Sequence, residues 1–187
     1  FKGEYPDTGA SLGQTTGTGA GFGAVGIASY FVHGTDSPLA FTLGAYPWGE
    51  PGTVLEKFSG PDKWSCELMG MIKAGLIDRD QAVQIAIASG HGIGKSATVA
   101  WIVMWAFCTL PDTRGVVTAN TETQLKTKTW AELGKWYNLC FFARDHFTLT
   151  ATGLFSKDPD RERTWRIDMI AWSEKNRSPL VRVPAAR

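Results

Sequence analysis

A chain of 187 residues is long enough for one domain with a real hydrophobic core, and 43% apolar residues with eight tryptophans place it among globular rather than disordered proteins. The formal net charge of +1 excludes a global basic field, so any contact with nucleic acid must come from a local patch. The longest apolar stretch, 98–110, is shorter than the roughly 20 residues that span a bilayer, so no membrane partner is expected.

Residues 1–35 are dominated by Gly, Thr, Ala and Ser and read as a flexible tail, because such a segment buries too little apolar surface to offset its ordering entropy. Its glycine run 17–23 has the composition of a phosphate loop, but no strand precedes it and no helix former follows. No apolar core segment marks a signal peptide there. The first residue is Phe1 rather than Met, which suggests an excerpt of a longer reading frame. Cys66, Cys108 and Cys140 are odd in number, far apart and without metal-ligand spacing, a pattern that fits reduced thiols in the cytoplasm.

From 36 to 176 the text reads as a partial α/β domain. A short helix is predicted over 38–45, followed by Pro- and Gly-punctuated turns. Pro61 and Asp62 open a second helix, in which Trp64, Leu68, Met71, Ile72 and Leu76 recur every three or four residues to about Gly75. A polar link at 78–80 leads to Val83, Ile85 and Ile87, read as the first core strand.

Ser89, Gly90, His91, Gly92, Ile93, Gly94, Lys95 and Ser96 follow at once, and a long apolar helical pattern comes after them. Strand, glycine loop, Lys-Ser and helix is the context of a phosphate-binding P-loop. Glycines allow backbone N–H groups to close around a β-phosphate, and the helix start aims its positive dipole end at the same place. Lys95 would reach the β- and γ-phosphates of ATP, and the Ser96 hydroxyl would ligate the Mg²⁺ that ATP carries. The first glycine of the motif is replaced by Ser89, another small residue; His91 is a filler on the solvent side.

A turn at 110–113 stops the loop helix, Val116 and Val117 mark a second strand over 114–119, and a helix is predicted over 121–140 with Thr121 as its cap. Strand–helix–strand–helix is the beginning of a right-handed parallel sheet. The segments 147–155 and 164–172 alternate as two strands of a β-hairpin, and 177–187 is an irregular tail. Trp101, Trp105, Trp130 and Trp136 fall on apolar helix faces and are expected in the core. Lys126, Lys128 and Lys135 form either a phosphate-touching stripe or a solvated helix face, diluted by Glu122 and Glu132. His33 and His146 have no neighbouring metal-ligand partner, and Arg161 and Arg163 read as a charged hairpin turn.

Several motifs in order, namely Phe41 to Thr53 with Pro47-Trp48-Gly49-Glu50-Pro51, Gly60 to Trp64, Ser89 to Ser96, Thr118 to Leu125 with Lys128-Thr129-Trp130, and Ala171 to Glu174, resemble the large subunit of tailed-phage terminases. That resemblance covers about 38–176. It implies a P-loop NTPase fold of the additional-strand type with a parallel sheet core, incomplete here and ending in the β-hairpin. It also implies an ATPase that packages double-stranded DNA into a viral procapsid. ATP and Mg²⁺ are the implied cofactors. The implied partners are double-stranded DNA, the portal protein, the small terminase subunit and further copies in a homo-oligomeric ring, in the host-cell cytoplasm. Thr118, Asn120, Thr121, Gln124 and Lys128 correspond to a helicase-like element that faces DNA or relays the nucleotide state.

Three departures qualify what the resemblance implies. Position 65 is Ser where the family often has an adenine-reading Gln. No four-residue apolar run ends in Asp-Glu; the nearest sequence, Arg166-Ile167-Asp168-Met169, lacks that run and lies in the hairpin. The acidic triad of the family's nuclease domain is absent, and the text after Asn176 is unlike the family, so the expectation is an ATPase-domain fragment. Its alternatives are a remnant that binds nucleotide without turnover and a generic helicase-like P-loop protein.

Overall fold

The computed structural model describes residues 36–77, 80–88, 90 and 92–171, and the chain divides into two units between Ser89 and Gly90. The tails at 1–35 and 177–187 lie outside the described residues.

In the first unit, Ser37 caps helix α1 (Pro38–Ala45) by accepting from the Ala40 N–H at 3.2 Å, and Pro38 supplies a pre-set φ at the first turn. The chain leaves the helix at Tyr46, which the following Pro47 holds in the extended region. The Trp48 indole N–H donates to the Thr42 carbonyl at 2.8 Å, satisfying a last-turn acceptor and fastening the turn-rich segment beneath the helix. Helix α2 (Lys63–Gly75) buries Ser65, Cys66, Leu68, Met69 and Ile72 on one face, and Thr42 donates to the Met69 sulfur at 3.6 Å where the two helices meet.

Residues 80–88 follow as exposed chain without a strand ladder. The first core strand expected at Val83, Ile85 and Ile87 is therefore corrected: these side chains are 38%, 37% and 40% exposed. A strand is stabilised by its neighbours' hydrogen bonds and cross-strand side chains, and a short, mostly apolar run does not itself supply them. Val83 instead lies against the end of α2, so closely that a Cβ on Gly75 would stand 2.9 Å from it.

The second unit opens on helix α3 (Lys95–Thr109), which the turn at 110–113 stops as expected; the Thr113 hydroxyl donates to the carbonyls of Ala106 at 3.1 Å and Leu110 at 2.5 Å. Strand β1 (Arg114–Val117) follows. The helix foreseen over 121–140 is built in three parts: α4 (Glu122–Gln124), a π-helical turn (Leu125–Trp130) and α5 (Ala131–Leu139). Thr121 caps it by accepting from the Gln124 N–H at 3.1 Å. A short α6 (Ala143–His146) leads to strands β2 (Phe147–Leu149), β3 (Gly153–Ser156) and β4 (Arg166–Met169).

The four strands form one sheet in the order β1-β4-β3-β2, so the molecule is α/β with a mixed sheet. The parallel core expected from the sequence is corrected: β1 and β4 run parallel, with Val116 beside Asp168, while β4–β3 and β3–β2 are antiparallel. The segment 147–155 is two strands rather than one. Thr150 breaks the alternation by folding its hydroxyl into the turn, where it accepts from the Gly153 N–H at 3.1 Å. The hairpin expected around 157–161 is present as β3–β4.

Two side chains of the helical segment cover the β2 edge of the sheet. The Tyr137 hydroxyl donates to the Phe147 carbonyl at 2.7 Å and the Trp130 indole to the Thr150 carbonyl at 2.8 Å. Trp101, Trp105, Trp130 and Trp136 are buried, as their helical spacing foretold. Trp101 meets Trp136 edge-on at 4.9 Å, Phe107 meets Phe147 at 4.8 Å, and the Trp165 indole donates to the Phe107 carbonyl at 2.9 Å. These contacts hold α3, and with it the loop at its start, against α5 and the sheet.

Candidate functional site

The glycine loop leads directly into α3, while the strand that the sequence reading also required before the loop is not formed among the described residues. Gly92 has φ +83° and Gly94 has φ +84°, conformations in which a side chain is strained. Gly94 is left-handed immediately before right-handed Lys95, and that alternation turns successive N–H groups toward one concavity. The N–H groups of the first turn of α3 have no acceptor within the helix, so the positive end of its dipole opens on the same side. A Cβ added at Gly90 or Gly92 would meet nothing within 4 Å, which leaves the face of the loop clear for an incoming group.

Lys95 folds its ammonium back to the Gly90 carbonyl, across the mouth of the loop. Ser96 is exposed on the first turn. The first turn of α3 is fixed from within by Thr98, a buried residue that sequence reasoning missed. Its N–H and hydroxyl donate to the Gly94 carbonyl at 3.0 and 3.2 Å. A Thr four residues after the last loop glycine is the signal that marks it. Ser89 and His91 lie outside the described residues. Gly90, Gly92, Ile93, Gly94, Lys95 and Ser96 thus compose the described part of the loop.

A triphosphate with magnesium fits this donor set. Among the described residues the donors here are the backbone N–H groups of the loop, the Lys95 ammonium and the Ser96 hydroxyl. Among the described residues no group of three or more His, Cys, Asp or Glu is placed to hold a metal by itself, so a magnesium ion here would rest on Ser96 and on the phosphates.

Asp168 on β4 is held by its own strand. Arg166, two residues earlier on the same face, donates from Nε to both carboxylate oxygens, at 3.1 and 3.0 Å, and a second nitrogen reaches Oδ1 at 2.5 Å. Ser65, at the position where the family often has an adenine-reading Gln, is buried in the α2 face.

Thr118, Asn120, Thr121, Gln124 and Lys128 are all exposed, along the exit of β1 and the first turns of the following helix. Of the three lysines weighed as a stripe, Lys126 pairs with Glu122 at 2.5 Å and Lys135 with Glu132 at 3.4 Å. The Lys126 ammonium beside Glu122 holds its carboxyl below the usual range. Lys128 makes no ion pair among the described residues, and it sits in the π-helical turn, a distortion found often at functional positions. The basic stripe thus reduces to one lysine flanked by hydroxyl and amide side chains.

Among the described residues no helix is long and apolar enough to cross a membrane. No family model matches the chain, and no curated protein or solved structure matches it either.

Proposed function

We propose that this chain is the nucleotide-binding part of a DNA-packaging ATPase of the terminase large-subunit type. The observation that carries the reading is the left-handed pair Gly92 and Gly94, running onto the start of α3 with the Lys95 ammonium folded across the loop. Together with the order of motifs from Phe41 to Glu174, it supports a P-loop of the additional-strand class.

In this reading the backbone N–H groups of 92–96 orient the phosphates, Lys95 exchanges its bond to the Gly90 carbonyl for phosphate oxygens, and Ser96 ligates the magnesium ion. Magnesium triphosphate supplies the free energy of phosphoryl transfer. The exposed Thr118–Lys128 surface grips or relays to double-stranded DNA, with Lys128 on a phosphate. A ring of such subunits on a portal, loaded by a small subunit in the host cytoplasm, is the assembly that the family resemblance suggests.

A second reading, nucleotide binding without turnover, is favoured by the pairing of Asp168 with Arg166, because a carboxylate already held by a guanidinium is poorly placed to take up a metal.

Calorimetry with ATP and magnesium tests binding. The Lys95→Ala variant is expected to lose at least about 30-fold in affinity, the scale for removing one partner of a desolvated charge pair. Unchanged affinity would show that the loop does not hold phosphate. Phosphate release separates the two readings: turnover that disappears in Asp168→Asn would restore that carboxylate to the chemistry, and no turnover supports binding alone.

A further inference from the structure

Strand β1 stands at one end of the sheet, and among the described residues only its β4 side is paired. The Arg166 and Ile170 N–H groups donate to the carbonyls of Thr113 and Val117, so the ladder with β4 uses the odd-numbered positions of β1. Backbone groups alternate in direction along a strand, which turns the N–H and C=O of Arg114 and Val116 to the open edge. Side chains alternate between the two faces. Val117 is buried on the face of Ile167, whereas Val116 is 59% exposed on the other. An open, partly apolar edge of this kind is a template for another strand, and folded proteins cover it.

β4 ends beside the end of β1, where Met169 pairs with Val117, and the chain runs on from there past the described residues. Its continuation carries Leu180-Val181-Arg182-Val183 between Pro179 and Pro184. The four residues match the length of β1, and their valines recur with the period of a strand. Prolines at both ends suit an edge strand, which has one side free of partners. The nine residues 171–179 reach about 30 Å when extended, against roughly 10 Å from β4 to a strand on the far side of β1. We infer that Leu180–Val183 docks antiparallel on the open edge of β1 as a further strand of the sheet. Alternation then puts Val181 and Val183 on one face, extending the buried surface of Val117 and Ile167. Leu180 and the stem of Arg182 lie on the other face, over exposed Val116. A tethered segment suits an edge this short. A second copy would have to bury about 1,000 Å², more than a four-residue strand offers, whereas a segment of the same chain pairs at an effective concentration of about millimolar.

Residue-resolved amide exchange on the full chain tests the docking. The Arg114 and Val116 amides are expected to exchange at least about tenfold more slowly than those of 83–88, whatever the protein concentration. Within an edge strand proline is tolerated only where the N–H points away from the partner, so Val181→Pro and Arg182→Pro, one position apart, should differ. One should speed exchange at Arg114 and Val116 about tenfold or more, and the other should leave it unchanged. Gly115 and Val117, bonded to β4, should stay protected in both and report that the sheet is intact. The measurement on the unaltered chain is decisive even if a variant folds poorly. Fast exchange at Arg114 and Val116 in that chain would overturn the docking. Protection that grows with protein concentration would place a second copy on the edge instead, and protection untouched by either proline would place another segment there. Equal loss from both prolines would show that the tail is not paired as a strand.

Discussion

At positions 92 and 94 the chain takes a backbone conformation that nearly every other residue type resists, and the path of the glycine loop into α3 depends on it. Gly94→Ala is expected to cost about 1–2 kcal/mol of stability through left-handed strain, read as a lower urea midpoint, and to weaken nucleotide binding by distorting the concavity. Ser96→Ala differs in kind. That side chain is exposed, so stability should stay within about 0.5 kcal/mol, while the dependence of ATP affinity on magnesium is lost. If Gly94→Ala binds ATP as tightly as the parent, the loop geometry is irrelevant to binding. The backbone turn here was legible in the sequence, because glycine spacing before Lys-Ser is a local constraint. The pairing of Asp168 with Arg166 was legible too, as two residues on one face of a strand, but only once that strand had been recognised.

Among the elements, helices were read well where both a cap and a period were present. Thr121 and the Pro61–Asp62 start each mark a true beginning. The π-helical turn was not legible. Leu125 and Trp130 are five residues apart, which at 3.6 residues per turn places them about 140° apart around a regular helix, yet both are buried. The wider turn brings both to the core, so it is a consequence of packing. The segment at 80–88 shows the same limit from the other side, since its apolar pattern promised a strand and the described chain offers it no ladder. Replacing Ile85 and Ile87 by Thr should therefore change stability by no more than about 0.5 kcal/mol each, and the amides of 83–88 should exchange rapidly with deuterium. A loss above about 3 kcal/mol would reveal that these side chains are buried in the folded protein.

For the folded molecule, the covered β2 edge links stability to pH. Burial of the Tyr137 phenol raises its proton affinity above the ordinary value. An acid whose neutral form is favoured by folding contributes stability below its unfolded value near pH 10, and that stability is lost as pH rises through the folded value. The hydroxyl donates to the Phe147 carbonyl at 2.7 Å, so Tyr137→Phe should cost about 1 kcal/mol at neutral pH. It should also flatten the decline above pH 10. Thermal melts of both proteins from pH 7 to 11 decide it, and parallel curves would remove Tyr137 as the source. Opposite this edge, β1 ends the sheet among the described residues, with Val116 59% exposed.

The sequence by itself determined the local matters: where helices start and stop, which tryptophans are buried, that a glycine loop precedes a Lys-Ser helix, and that a polar turn separates two strands near the end. Each depends on residues within a few positions of one another, whose caps, turns and periods act before any distant contact forms. Only the tertiary structure decided the sheet's direction and the failure of 80–88 to join it. Those outcomes depend on partners remote in the chain or on a neighbour's exact reach, and strand pairing in particular is settled by whichever backbone edge is available, a fact that no run of apolar residues carries in itself.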